Sequence, residues 1–168
     1  MTVLLPLYRT MSLLGAPAIN WYLQRRVDRG KEDRRRFGER KGLCHIPRPI
    51  GGLIWVHCAS VGEAVTVLPL VEMLRNDYPE ISIMITTGTV TSAKLLEDRL
   101  PDEVIHQFVP IDRQSYVCRF LDRWRPDLVL WVESEFWPNL IIISNERQIP
   151  QILINGRMSH KSYSGWQY

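Results

Sequence analysis

Apolar residues along this chain follow two alternating patterns. Short contiguous runs, LIWVH (53–57), ISIMITT (81–87), VIHQFVP (104–110), DLVLWVE (127–133) and QILING (151–156), read as strands buried on both faces. Between them apolar positions recur at helical spacing. Val67, Leu70, Val71 and Leu74 mark a helix from Glu63 to about Asn76, with Pro69 out of keeping. A second helix runs from Ser92 to Leu100, a third passes through Phe120, Leu121 and Trp124, and a fourth is WPNLIIISNE with Pro138 in its first turn. Five strands alternating with helices predict an α/β, Rossmann-like open parallel sheet over residues 53–168.

Right-handed crossovers place the C-terminal ends of all five strands on one edge, where open α/β sheets bind ligands. The polar residues collect on that edge. Ser60 and Glu63 follow the first strand, and Thr86, Thr87, Thr89 and Thr91 end or follow the second. Asp112 follows the third, Glu133 and Glu135 the fourth, and Asn155, Arg157 and Ser159 the fifth. Glu63 stands at the start of a helix, where it either complements the helix dipole or supplies a base. His57 lies within a strand and reads as structural.

Ahead of this domain the pattern changes. MTVLLPLYRTMSLLGAPAINWYLQ carries Arg9 as its single charge, and Pro6, Gly15, Pro17 and Asn20 interrupt the apolar run. Its positive residues follow the apolar stretch, the reverse of a cleavable signal peptide. Trp21 and Tyr22 sit where that stretch meets RRVDRGKEDRRRFGERK (25–41), which holds nine Lys/Arg against four Asp/Glu. Residues 1–41 therefore predict a short membrane-associated helix and a basic segment, with Trp21, Tyr22, Arg25, Arg26, Arg34, Arg35 and Arg36 toward anionic headgroups. An N-terminal helix packed on the domain, its basic face solvated, is the competing reading. GLCHIPRPIGG (42–52) reads as a linker.

The formal net charge of +3 is concentrated in that block, which argues against a nucleic-acid-binding surface. Cys44, Cys58 and Cys118 are odd in number and widely spaced, without zinc-ligand spacing, and read as free thiols in a reducing compartment. ASVGEA offers a single glycine where a dinucleotide fingerprint needs GxGxxG, and neither a GxxxxGK[ST] loop nor a GxSxG elbow is present.

SVGE after the first strand, TTGTVT after the second, ESEFWPN after the fourth and NGRMS after the fifth together resemble the 3-deoxy-D-manno-octulosonic acid (Kdo) transferases, lipid A glycosyltransferases of the Gram-negative inner membrane. RRRFGERKG resembles that family's start, so the likeness runs over essentially the whole chain. Gly88 and Gly156 depart from the family, which often carries a bulkier residue and an alanine there. The resemblance implies the N-terminal, acceptor-binding half of a GT-B glycosyltransferase; the donor-binding half lies outside this sequence.

On that resemblance Glu63 would be the general base of an inverting transfer of Kdo from CMP-Kdo to a lipid A precursor, in lipopolysaccharide biosynthesis. Gly62 would let the backbone approach the sugar. Glu133 and Glu135 would orient the acceptor or support the base, with helix capping the alternative for Glu135. Arg157 and Lys161, with Ser159 between them, would hold lipid A phosphates, or Lys161 would be a solvated charge. Ser60, Thr86, Thr87, Thr89 and Asn155 would contact the acceptor, or the threonines would cap the next helix. Trp131 and Trp137 read as core, with sugar-stacking platforms the alternative. The resemblance implies no cofactor and no metal in this half, and a site at the cytoplasmic face of the inner membrane. The competing functions are a non-enzymatic lipid- or protein-binding module and a GT-B transferase with another sugar acceptor.

Overall fold

In the computed structural model, which describes residues 4–133, 136–156 and 164–165, the five apolar runs form strands β1 (Leu53–Cys58), β2 (Ser82–Thr87), β3 (Ile105–Phe108), β4 (Leu128–Val132) and β5 (Gln151–Ile154). All pairings are parallel, in the order β3-β2-β1-β4-β5. The order reverses between β1 and β4, the switch point at which such sheets open a crevice at their C-terminal edge.

Alternation along the strands builds two cores. Leu53, Trp55, Met84, Val129 and Trp131 face one layer, which also holds Val117, Phe120, Leu121 and Trp124 of α6 (Gln114–Trp124) and Leu140 and Ile143 of α7 (Pro138–Glu146). Ile54, Val56, Cys58, Ile83, Ile85, Leu130 and Val132 face the other, with Ala64 of α3 (Val61–Thr66), Val71 of α4 (Leu68–Asp77) and Leu96 of α5 (Val90–Glu97). Trp55 centres the first core, its ring 4.9 Å from Phe120 and 5.2 Å from Trp131.

The single helix expected from Glu63 to Asn76 is two. Proline has no N–H to donate and clashes with the preceding turn, so α3 stops at Thr66 and α4 restarts with Pro69 in its first turn. The N-terminal segment also divides, into α1 (Leu4–Leu14) and α2 (Ala16–Asp28), with Gly15 at the break and Pro17 opening α2. Among the described residues no helix is long and apolar enough to cross a membrane.

Both helices are fastened to the domain. The Tyr8 hydroxyl donates to Asp112 Oδ2 at 2.8 Å. Arg9 donates to Asn139 Oδ1 at 3.1 Å and pairs with Glu146 at 3.2 Å. Leu23 and Val27 of α2 are buried. Leu7, Met11, Leu13, Leu14, Trp21 and Tyr22 are exposed, the last two at 62% and 55%.

The basic segment is not a uniform headgroup-facing surface. Arg25, which lies over the Trp21 ring, and Arg34 and Arg35 are exposed as expected. Arg36 is not: it forks onto Glu39, donates to the His106 carbonyl at 2.9 Å and lies over the Phe108 ring. Arg26 is held by Glu32 at 2.8 Å, and Glu32 is buried because its other oxygen takes Arg40 at 2.9 Å. The two bonds satisfy both carboxylate oxygens, which makes burial of that charge tolerable.

Residues 42–52 contain no helix or strand, as a linker should, but they are pinned. Gly42 adopts φ 72°, and a side chain there would collide with the Tyr116 carbonyl. The Arg48 guanidinium donates to the carbonyls of Trp124, Pro49, Gly51 and Arg125.

Candidate functional site

The first strand ends in the turn Ala59-Ser60, and α3 begins at once. Ser60 is its N-cap, with extended backbone, and its Oγ accepts from Glu63 N at 3.3 Å. Glu63 reaches back over the turn. Its Oε1 takes the Ser60 hydroxyl at 2.8 Å and its Oε2 takes Ala59 N at 2.7 Å. This is a capping box whose acidic arm grips one residue further out than usual. Glu63 is buried as a result, yet each oxygen keeps a second lone pair. The capping reading holds, and the carboxylate also stands at the C-terminal edge beside the switch point. Gly62 is exposed, with only Ser60 Oγ, at 3.9 Å, near where a Cβ would sit, so the start of α3 is open to a ligand.

Across the switch point, Glu133 follows β4 in the left-handed region at φ 60° and Asn155 follows β5 at φ 53°. Asn155 Nδ2 donates to Glu133 Oε1 at 3.3 Å. Two non-glycine residues in this costly conformation, linked at the sheet edge, hold the β4 and β5 ends in a fixed relation. Glu135, Arg157, Ser159 and Lys161 lie outside the described residues.

Thr86 and Thr87 do not reach the edge as acceptor contacts. Both are fully buried. Thr86 Oγ1 takes the Trp55 indole N–H at 2.8 Å and meets His57 Nδ1 at 2.9 Å, while Thr87 Oγ1 meets His106 Nε2 at 2.9 Å. Position within a central strand, with a partner on each neighbour, turns these hydroxyls inward. Of the three threonines, Thr89 takes the capping alternative: its Oγ1 accepts from Ser92 N at 3.1 Å at the start of α5.

Beside this turn, on the α6 and α7 side, lies a cavity of about 260 Å³ walled by Arg40, His57, Ala59, Gly88, Thr89, Val109, Pro110, Ile111, Asp112 and Trp137. Asp112 caps α7: Oδ2 takes Asn139 N at 2.9 Å and Oδ1 takes Leu140 N at 2.8 Å. Arg40 ties the loops after β2 and β3 together by donating to the Gly88 carbonyl at 2.6 Å and the Val109 carbonyl at 3.2 Å. Burial lowers the Arg40 pKa, which Glu32 partly offsets. Trp137 is 41% exposed and forms a wall, so it is not the core residue the sequence suggests; Trp131 is.

His57 is structural in the sense expected, almost fully buried and with burial pushing its pKa down to about 4. His106 is lowered to about 3, by burial and then by Arg36 and Arg40. Both rings are neutral at pH 7. Cys44, Cys58 and Cys118 are free, and burial pushes the Cys58 thiol well above its ordinary value. Among the described residues no three His, Cys, Asp or Glu side chains gather to hold a metal ion.

Sequence reasoning missed Arg40 as a wall of this cavity, because it belongs to a run of nine cations that look alike in one dimension. Asp112 was visible as an edge residue. Its role as cap of a helix that starts 26 positions later was not.

Comparison with known proteins now bears on this site. The family described as 3-deoxy-D-manno-octulosonic-acid transferase (kdotransferase) matches residues 34–168. A probable mitochondrial 3-deoxy-D-manno-octulosonic acid transferase of Arabidopsis thaliana is 37% identical over 160 residues, 95% of this chain and 36% of that protein. The 3-deoxy-D-manno-octulosonic acid transferase of Rickettsia bellii is 39% identical over 163 residues, 96% and 38% of the two chains. That of Haemophilus influenzae is 35% identical over 158 residues, 92% and 36%. This chain therefore spans little more than a third of the length of these curated relatives. Among solved structures, a UDP-N-acetylglucosamine 2-epimerase aligns with TM-score 0.45 and 18% identity over 71% of this chain and 35% of that one, a likeness too slight to bear on function. With its match over residues 34–168 and these relatives, the chain belongs to the 3-deoxy-D-manno-octulosonic acid transferase family, corresponding to the N-terminal part of its members.

Proposed function

We propose that this chain is the acceptor-binding half of a GT-B Kdo transferase, which moves Kdo from CMP-Kdo to a lipid A precursor when a donor-binding domain is joined to it. Family membership supports the reading, and the observation that carries it is the setting of Glu63. Ala59 N and the Ser60 hydroxyl fix both carboxylate oxygens at the C-terminal edge, in the turn that opens the switch point. A base held by two bonds loses little freedom when substrate arrives.

In the proposed step a primary hydroxyl of the acceptor attacks the anomeric carbon of Kdo as the bond to CMP breaks, with inversion. Glu63 takes the hydroxyl proton, and the electron pair of the breaking bond leaves with the CMP phosphate. No cofactor enters, and the donor is held mainly by the other domain. The exposed apolar residues of α1 and α2, together with Arg25, Arg34 and Arg35, would rest on the cytoplasmic leaflet of the inner membrane and bring the edge to its lipid substrate.

The test is binding and transfer measured together. This chain should bind a lipid A precursor in detergent micelles and transfer no sugar from CMP-Kdo. A version joined to a relative's donor domain should transfer Kdo. Failure to bind the precursor sinks the acceptor assignment, and turnover by the isolated chain sinks the need for two halves.

A further inference from the structure

The N-terminal helices are fastened to the domain, yet they leave a gap beneath them. Tyr8, Met11, Ser12, Gly15, Ala18 and Ile19 recur at three- and four-residue spacing. Helical hydrogen bonds from Gly15 N to Met11 O and from Ile19 N to Gly15 O carry that register through the break, so the six residues form one stripe. With Ile111 of the loop after β3 and Trp137 ahead of α7, the stripe walls a groove of about 400 Å³. Bulky side chains fill such spaces in a packed core. Here the middle of the stripe is Gly15 and Ala18, which are too small to do so, and Met11, Ala18 and Trp137 are exposed.

Polar groups along the groove are engaged except at one place. Asp112 takes Asn139 N, Leu140 N and the Tyr8 hydroxyl, and Ser12 Oγ donates to the Arg9 carbonyl. Arg113 differs. Its guanidinium lies over the Tyr116 ring but makes no hydrogen bond or ion pair among the described residues. Its Nε is sealed from solvent, while its terminal nitrogens, equally without partners, remain accessible. Arg113 also walls an adjoining hollow with Arg9, Ser12 and Ser115, at the first turn of α6, which no side chain caps. Arg9 there is paired with Glu146, so the uncommitted charge is that of Arg113. An apolar groove beside an unpaired cation suits an amphiphile, its hydrocarbon along the groove and its anionic group on the guanidinium.

We infer that the groove between the N-terminal helices and the Ile111 and Trp137 wall takes one acyl chain of the phosphorylated glycolipid acceptor, with Arg113 meeting a phosphate at the groove's rim. The inference rests on the acceptor-binding reading above and adds to it a place for the lipid. Size fits, since ligand pockets run to about 300–1,000 Å³ and are mostly apolar. Continuity selects the acceptor over a phospholipid of the surrounding bilayer. Ile111, Asp112 and Trp137 wall this groove and also the cavity beside the β1–α3 turn. Ala59 of that cavity gives its backbone N–H to Glu63 Oε2. A lipid seated in the groove is therefore held next to the turn that carries the carboxylate. A bilayer phospholipid would gain the same burial but has no group for that turn.

The test uses this chain with 13C-labelled isoleucine methyl groups. A lipid A precursor in deuterated detergent micelles should give nuclear Overhauser contacts from its acyl-chain protons to the Ile19 and Ile111 methyls. Ile50, exposed but outside the groove, should show none. Water-soluble analogues of the precursor with one short acyl chain should bind about fourfold more tightly for each added methylene until the groove is full. Ala18→Trp, which fills the groove from an exposed helix position, should flatten that series. Arg113→Gln should weaken a phosphorylated analogue about 10-fold and leave the same analogue without phosphate unchanged. Saturating binding with no contact to Ile111 overturns the inference. So does a flat series in the parent, a series that Ala18→Trp leaves unchanged, or an Arg113→Gln effect that is the same for both analogues. In each of these cases the acceptor reading stands. The same contacts from a phospholipid alone also overturn it, because the groove then serves any lipid. A parent chain that binds no precursor overturns the reading and the inference together. The Overhauser arm needs no variant, so a folding defect in Ala18→Trp does not shelter the proposal.

Discussion

Ser60 and Glu63 hold each other. The serine oxygen takes the glutamate's backbone N–H at 3.3 Å and gives its own hydrogen to the glutamate's carboxylate at 2.8 Å. One pair of side chains thereby starts a helix and aims an acid, so capping and the proposed proton transfer can be separated only by comparing substitutions.

Ser60→Ala should cost about 1 kcal/mol of stability in urea unfolding, the usual loss for an N-cap. Glu63→Gln keeps an acceptor oxygen for Ser60 but cannot take up a proton. In an enzyme that includes a donor domain it should lower kcat by about 10²- to 10⁴-fold with a stability loss near that of Ser60→Ala. If Glu63→Gln retains most of its turnover, Glu63 is a cap only.

Glu32 should be a large contributor to stability. Its side chain and that of Arg40 are only 4% and 6% exposed. Glu32→Ala strands a buried guanidinium and should cost about 3–5 kcal/mol. Arg26, 28% exposed in its pair with the same carboxylate, should cost about 1 kcal/mol or less when replaced by alanine. Equal losses in the two variants would contradict the buried placement of Arg40.

Acid should destabilise the fold through two histidines. The folded pKa values of His57 and His106, about 4 and about 3, lie below the ordinary 6.5, so between those limits the unfolded chain binds more protons than the folded one. Stability is then full above about pH 6.5 and falls as the pH drops toward 4, by on the order of 3 kcal/mol for each ring. Urea midpoints at pH 7.5, 6 and 5 should show the decline, and His106→Gln should flatten part of it. A midpoint unchanged between pH 7.5 and 5 would contradict both shifts.

Vesicle binding should depend on the exposed part of the N-terminal segment alone. Leu14→Asp and Trp21→Asp should each weaken co-sedimentation with anionic phospholipid vesicles several-fold, as should raised salt. Arg36→Ala should leave vesicle binding as it was and lower the melting temperature, because Arg36 is spent on Glu39 and the His106 carbonyl. Equal vesicle losses in all three would restore Arg36 to the surface.

The strands were legible because runs such as LIWVH and DLVLWV fit a sheet covered on both faces and little else. The break at Pro69 was legible as an irritant, and its outcome followed from the missing N–H. The partners of side chains were not legible. Arg35 and Arg36 are neighbours of the same type, yet one meets solvent and the other a glutamate that a short 3-10 turn, Phe37–Lys41, brings underneath it. Thr86 and Thr89 belong to one threonine-rich motif, yet one ends inside a strand and the other caps a helix. Trp137 looked like core, yet it stands 41% exposed just ahead of α7, whose first turn Asp112 caps from across the fold. Glu63 was legible in both of its aspects because capping and presentation at the strand end are each encoded within a few residues.

Asp112 receives a hydrogen from Tyr8 of α1 on the same oxygen that takes the first turn of α7. The leading helix is consequently a strut and not a leash. In the proposed setting, with its outward side chains on a membrane, that strut would hold the C-terminal edge at one preset height above the lipid, so a substrate anchored there would be met at constant depth.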